Sequence, residues 1–178
     1  MLIIQKPLPV KFICGFLYRE ENIYEQTKGL LKKRFGSIDF ESEAIAFTFT
    51  DYYEKEMGPN LLRRFISFAR LRESSDFVSI KLYCLKLEKG FAKNAKRRIN
   101  IDPGYLNEAK LVLTTTKDFS HRIHLAKGIF AEVTLQFRNG AFCDLATTFP
   151  DYRTQGYKQI FQRIREQYQK NIGHEHHR

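Results

Sequence analysis

Apolar residues run almost without interruption from Val10 to Tyr18. That is the pattern of a strand covered on both faces. Asn22 followed by Glu25 suggests a helix cap with its reciprocal acid. Ile23, Thr27, Leu30, Leu31 and Phe35 keep helical spacing up to Gly36. Ile45, Phe47 and Phe49 alternate with Ala46, Thr48 and Thr50, which predicts one strand across Ile38–Thr50. A polar, aromatic connection, Asp51 to Pro59, leads to a strand over Leu61–Leu71. Ser74 or Ser75 should cap a helix reaching about Lys93, with Phe77, Ile80, Cys84, Leu87 and Phe91 as its stripe. Lys81 and Glu88, seven apart on that helix, share a face and read as solvated.

Alternation over Arg97–Asp102 predicts a strand turned back by Asp102-Pro103-Gly104, with Arg98, Asn100 and Asp102 on one side. Strands follow at Lys110–Thr116, His121–Leu125, Ile129–Arg138 and, after the Asn139-Gly140 turn, Ala141–Leu145. A helix closes the chain from about Arg153 to Gln169. The implied fold is α+β, a ferredoxin-like β-α-β-β-α-β core extended by an antiparallel hairpin set and a C-terminal helix. Residues 1–172 read as one domain and 173–178 as a mobile tail.

The second hairpin decides where polar chemistry gathers. A three-residue loop, Ala126-Lys127-Gly128, would pair Leu125 with Ile129 and set Arg122 opposite Glu132. Arg122, His124, Glu132, Thr134, Gln136 and Arg138 then share one face. That face is either a site or a solvated surface with a cross-strand ion pair. Thr114 to Arg122 adds hydroxyls, a Lys, an Asp and a His. Asp151-Tyr-Arg153 adds an acid and a base before the last helix, where Asp151 could instead be its cap.

Composition narrows the chemistry. A formal charge of +10, from 30 Lys+Arg against 20 Asp+Glu, favours anionic partners. Cys14, Cys84 and Cys143 are odd in number, widely spaced and set in apolar stretches. That argues for reduced thiols, a cytoplasmic setting and no cysteine catalysis. The apolar start is too short and too interrupted by Pro7, Pro9 and Lys11 for a membrane span or a signal peptide. No P-loop, GxGxxG, GxSxG, HExxH or EF-hand pattern occurs. Thr116-Lys117-Asp118 lacks the spacer of a guanine-recognising T-K-x-D motif. His174, His176 and His177 would at most bind a metal loosely from the tail.

The runs Tyr52–Gly58, Arg98–Tyr105, Thr116–Ile123, Gly128–Leu135 and Phe149–Arg153 resemble an uncharacterised prokaryotic family, domain of unknown function 4416. The resemblance spans nearly the whole chain. It marks Glu54 and Glu56 in addition to the polar residues above, and implies no roles.

Three functions compete. The first is a site for a small anionic ligand, phosphorylated or nucleotide-like, with Arg98, Asn100, Lys117, Asp118, Arg122, Asp151 and Arg153 contacting it. His121, Glu132 and Asp102 are then candidate acid–base groups, and Asp102 and Glu132 candidate ligands for a divalent metal, should the protein be an enzyme. The second is an RNA- or DNA-binding module, suited by charge and strand order but lacking stacking aromatics at Ile99, Ile101, Val112 and Leu113. The third is a scaffold using Tyr52, Tyr53, Met57 and Phe65 as an exposed anchor.

Overall fold

The computed structural model describes residues 6–175. Nine strands and four α-helices follow in the order β1 (Lys11–Tyr18), α1 (Glu21–Phe35), β2 (Ile38–Glu41), β3 (Ile45–Ala46), α2 (Glu54–Met57), β4 (Leu62–Phe68), α3 (Phe77–Phe91), β5 (Ile99–Leu106), β6 (Lys110–Thr115), β7 (Ile123–Ala126), β8 (Ile129–Arg138), β9 (Ala141–Asp144) and α4 (Gln155–Glu175). They make an α+β fold around one antiparallel sheet, ordered β2-β4-β1-β5-β6-β8-β7. β3 also joins β4, and β9 also joins β8.

β1 is buried along its whole length, as its nearly continuous apolar run after Lys11 requires. Phe12, Cys14, Phe16 and Tyr18 point to a core closed by α1 and α3, where Phe12 stacks on Phe68 at 4.5 Å between centroids. Ile13 points the other way, with Phe65, towards Tyr157, Phe161, Ile164 and Tyr168 of α4. The helices therefore cover both faces of the sheet.

Several local expectations gave way to tertiary pairing. α1 begins at Glu21, so Asn22 lies inside its first turn and accepts from Gln26 rather than capping the helix. A single turn of 3-10 helix, Ser74–Asp76, precedes α3, and no serine caps it. The strand predicted across Ile38–Thr50 is broken at Ser42, whose N–H donates to Phe65 O while its Oγ accepts from Phe65 N. Asp102-Pro103-Gly104 is not a turn: pairing with Lys11–Tyr18 of β1 carries β5 straight through it. The β7–β8 turn has two residues, Lys127 and Gly128, at φ 53° and 73°, the positive values a tight hairpin of this kind demands. Ala126, not Leu125, pairs with Ile129, and an irregularity at Leu125 restores His124 opposite Phe130.

Cys14 and Cys84 are buried, but Cys143 is exposed on β9, against the apolar setting predicted for it. α4 runs on through Gly173 to Glu175, six residues beyond the predicted end at Gln169. The metal-binding expectation for the tail histidines lies outside the described side chains.

Candidate functional site: a cleft where the sheet splits

The site begins as a failure of strand pairing. β5 and β6 pair only from Gly104–Leu113 to Leu106–Leu111. At Gly104 they are so close that a Cβ would fall 2.2 Å from Val112 O, so only glycine fits. Beyond that point β5 turns its edge to α3. Lys81 Nζ donates to Ile101 O at 2.9 Å, and the Ile101 N–H donates to Glu88 Oε1 at 2.6 Å. Pro103, two residues along the same edge, brings no N–H to a ladder. Its carbonyl accepts from Thr114 Oγ1 at 2.8 Å. Side chains thus satisfy the backbone groups that β6 leaves unpaired, and a cleft of about 510 Å³ opens between the strands.

Arg63 of β4 lies at the floor of this cleft. It shares the face of Phe65 and Ser67 because side chains alternate along the strand, and it is 3% exposed. Its Nη1 donates to Asp102 Oδ2 at 3.0 Å and its Nη2 to Asp151 Oδ2 at 3.2 Å. The guanidinium carbon is 5.2 Å from the Phe47 ring centroid and 6.0 Å from that of Tyr152. Burial opposes the charge on Arg63, but Tyr152, Asp102, Asp151 and Tyr157 together outweigh it and push its pKa up. Burial also raises the Asp102 carboxyl, yet Arg63 and Lys81 prevail and hold it below its ordinary range. For Asp151 burial wins over Arg63, and its pKa is raised. Burial likewise raises Glu88 against the pull of Lys81.

The walls come from three connections. Glu132 of β8 accepts on Oε2 from Arg122 Nε at 2.7 Å and pairs through the same oxygen with His121 Nε2 at 3.0 Å. Arg122 Nη1 donates back to Lys117 O at 3.1 Å, which fixes the β6–β7 connection. Across the mouth Lys117 Nζ donates to Tyr52 Oη at 3.1 Å. Arg97 is held in a fork by Glu56, at 2.9 and 2.7 Å, and donates to Asn100 Oδ1 at 2.7 Å. Tyr152 Oη is buried with no hydrogen-bond partner among the described residues, while Asn100 lies against the Asp102 carboxylate and Arg63 against the Tyr157 hydroxyl.

Of the residues predicted to act, Asn100, Asp102, Lys117, Arg122, Glu132 and Asp151 line this one cleft. His121 stands behind it, on Glu132. Arg98 points away and pairs with Glu20 at the surface. Asp118 is exposed and does not line the cleft. Arg153 donates to Thr148 O and Ala146 O, pinning the segment before α4. Asp151 does not cap α4 with its side chain, which is committed to Arg63. Thr154 Oγ1 takes the Tyr157 N–H instead, at 3.4 Å. The hairpin face predicted as site or solvated surface is turned inward at Glu132, while Ile123 and Leu125 are exposed. Lys81 and Glu88 share a face as predicted, but that face is buried.

Arg63, Arg97, Phe47 and Phe49 were not predicted, whereas Tyr52, Tyr53 and Phe149 lie in runs already marked in the sequence. The signal for Arg63 is Leu62-Arg63-Arg64-Phe65: in an apolar run, strand alternation forces one arginine onto a buried face. Asp102 and Glu132, the candidate metal ligands, lie on β5 and β8 with β6 between them, each tied to its own arginine. Among the described residues no group of three or more His, Cys, Asp and Glu is placed to hold a metal ion. Nor is any helix there long and apolar enough to cross a membrane.

Residues 8–168 match the family model described as Domain of unknown function (DUF4416). That covers most of the chain, and the protein belongs to this family. No curated protein and no solved structure matches it.

Proposed function

We propose that the cleft binds a small anionic ligand, phosphorylated or nucleotide-like. The observation that carries this is the charge balance of the lining. Five cations, Arg63, Lys81, Arg97, Lys117 and Arg122, face four carboxyls, Glu88, Asp102, Glu132 and Asp151. By count the lining leans positive by one, and burial raises the pKa of two of the four, Glu88 and Asp151. A low-dielectric hollow focuses that excess. Lys117 at the mouth has no carboxylate partner among the described residues, and a compact cation is a natural phosphate contact. The volume falls in the range of small-molecule sites, and Phe47, Phe49, Tyr52, Tyr53 and Phe149 supply apolar wall.

Nucleic-acid binding has less support. Ile99, Ile101, Val112 and Leu113, where stacking side chains would be needed, are buried. The scaffold reading loses its anchor, since Met57 and Phe65 are buried and Tyr52 alone of the four is exposed. We also propose that β1-α1-β2-β4-α3-β5 is a ferredoxin-like unit, supported by the strand order β2-β4-β1-β5. A cytoplasmic setting suits a phosphorylated ligand and unpaired Cys14 and Cys84.

The test is thermal unfolding against a panel of sugar phosphates, nucleotides and inorganic phosphate, with and without magnesium. A binder at a hundred times its Kd adds about 2.7 kcal/mol, a shift on the order of 5–10 °C for a domain of this size. Lys117→Ala should reduce that shift. No shift from any compound at millimolar concentration, or an undiminished shift in the variant, would overturn the reading.

A further inference from the structure

We propose that the outer surface of α1 and α3, with the segment joining β4 to α3, docks the phosphate backbone of double-helical nucleic acid. This surface is separate from the cleft, and from the buried sheet positions that count against base stacking.

The case begins with where the charge sits. The formal charge of the chain is +10, yet the lining of the cleft leans positive by only one. Lys32, Lys33 and Arg34 make the exposed last turn of α1. Arg70 and Arg72 follow β4, and Lys86 and Lys89 are exposed on one face of α3. Among the described residues none of the seven has an ion pair. The acids of the same segments are committed elsewhere. Glu21 pairs with Arg64, Glu25 with Lys28 and Glu73 with Lys6, while Glu88 is turned inward to the Ile101 N–H. Asp76 alone is left against seven cations, an excess of six.

The arginines are gathered and braced. Arg72 Nη2 donates to Phe35 O at the end of α1 at 3.0 Å, and its guanidinium carbon is 5.4 Å from the Phe35 ring centroid. Arg34 lies 5.9 Å from the Tyr83 ring centroid, and the Phe35 and Tyr83 rings meet edge to face at 5.5 Å. Two guanidiniums thus rest on one pair of touching rings. Burial, then the charges of Arg70 and Arg34, lower the Arg72 pKa against the pull of Asp76. Arg72 Nε is buried with no partner among the described residues. Cations in the last turn of a helix offset its dipole, which accounts for Lys32, Lys33 and Arg34. It does not account for Arg70, Lys86 and Lys89. A row of phosphates would relieve the mutual repulsion, and braced guanidiniums suit phosphate oxygens.

The partner is a duplex because this surface offers charge without a platform for bases. Among the described residues its exposed large apolar side chains are Leu30 and Leu82, and Tyr83 is half-buried. Single strands are held by stacking on exposed aromatic rings. Helices that lie on membranes carry a continuous apolar face with aromatics, which two leucines on separate helices do not make. Contact through phosphates alone is independent of base sequence.

The test is fluorescence anisotropy of a labelled duplex of about 20 base pairs titrated with the full chain, where neutralising three phosphates weakens binding about fortyfold between 50 and 200 mM salt. We expect a salt response at least that steep. Arg34→Glu with Arg70→Glu should weaken binding at least tenfold. Arg163→Glu with Lys170→Glu makes the same change in net charge on α4, across the sheet, and should stay within threefold. Equal loss from both pairs would reduce the effect to net charge and overturn the docking surface. So would no binding at the lower salt, a response flatter than the one expected, tighter binding of either separated strand, or tighter binding of phosphatidylglycerol vesicles. Lys86→Glu with Lys89→Glu alters exposed lysines only and should weaken binding several-fold. Unchanged affinity in that pair would also overturn the proposal, whether or not the arginine pair folds.

Discussion

Lys11 and Arg63 are both buried cations on the same face of one sheet, at opposite ends of β1, and they have different surroundings. Lys11 donates to Asp39 and to Asn171 of α4 at 2.8 Å, and Asp39 also accepts from Ser67 Oγ at 2.7 Å. Arg63 meets two carboxylates, yet Tyr152 Oη beside it on the same cleft has no partner among the described residues. A buried charge whose neighbours are all matched is packing. A buried charge beside an unmatched hydroxyl and a 510 Å³ cleft is where we propose that a ligand sits.

Breaking each centre in turn sharpens that contrast. Arg63→Met leaves Asp102 and Asp151 without their cation, and Asp151 is almost wholly buried. A loss of about 3–5 kcal/mol, read by denaturant unfolding, is expected, together with loss of phosphate-probe binding. Lys11→Met should cost less, on the order of 1–2 kcal/mol, because Asp39 is 20% exposed and can take water. Affinity for any ligand of the cleft should stay within twofold. Equal damage to binding from both substitutions would erase the distinction.

The pH dependence offers a subtler test. Glu88 has its pKa raised by burial above its ordinary 4.5. Its favourable contribution is therefore full below about pH 4.5 and is lost as pH rises through the raised value. Glu88→Gln keeps the acceptor for the Ile101 N–H and removes that loss. The variant should gain on the wild type as pH climbs above 4.5 and match it below. Asp102 runs the other way, since its pKa is lowered: its contribution is present above about 3.8 and disappears as pH falls through the folded value. A Glu88→Gln advantage that grows on acidification would contradict the assignment. The smallest effect is expected for Lys117→Ala. Lys117 is exposed, so stability should change by less than about 0.5 kcal/mol, while phosphate affinity falls several-fold.

What the sequence reveals divides along the same line. β1 is legible because burial on both faces leaves an apolar run interrupted only near its start, at Lys11. The Arg122–Glu132 pair is legible because face consistency in a hairpin survives even when the loop is one residue shorter than predicted: the irregularity at Leu125 absorbs the difference. Asp102-Pro103-Gly104 misleads because its turn chemistry is local, whereas the partner that overrides it, β1, lies some ninety residues earlier. Lys81 and Glu88 mislead for a related reason. Their spacing shows that they share a face, but the unpaired edge of β5 that draws them inward belongs to another element. Arg63 is the clearest omission, for a single arginine in a strand carries no sign of which acids will reach it from β5 and from the segment before α4.

The most direct measurement is calorimetric titration of wild type, Lys11→Met and Lys117→Ala with the phosphorylated compound that gives the largest thermal shift. A ligand site in the cleft predicts affinity unchanged in Lys11→Met and weakened several-fold in Lys117→Ala. Affinity lost in Lys11→Met and kept in Lys117→Ala would place the ligand elsewhere and contradict the central claim.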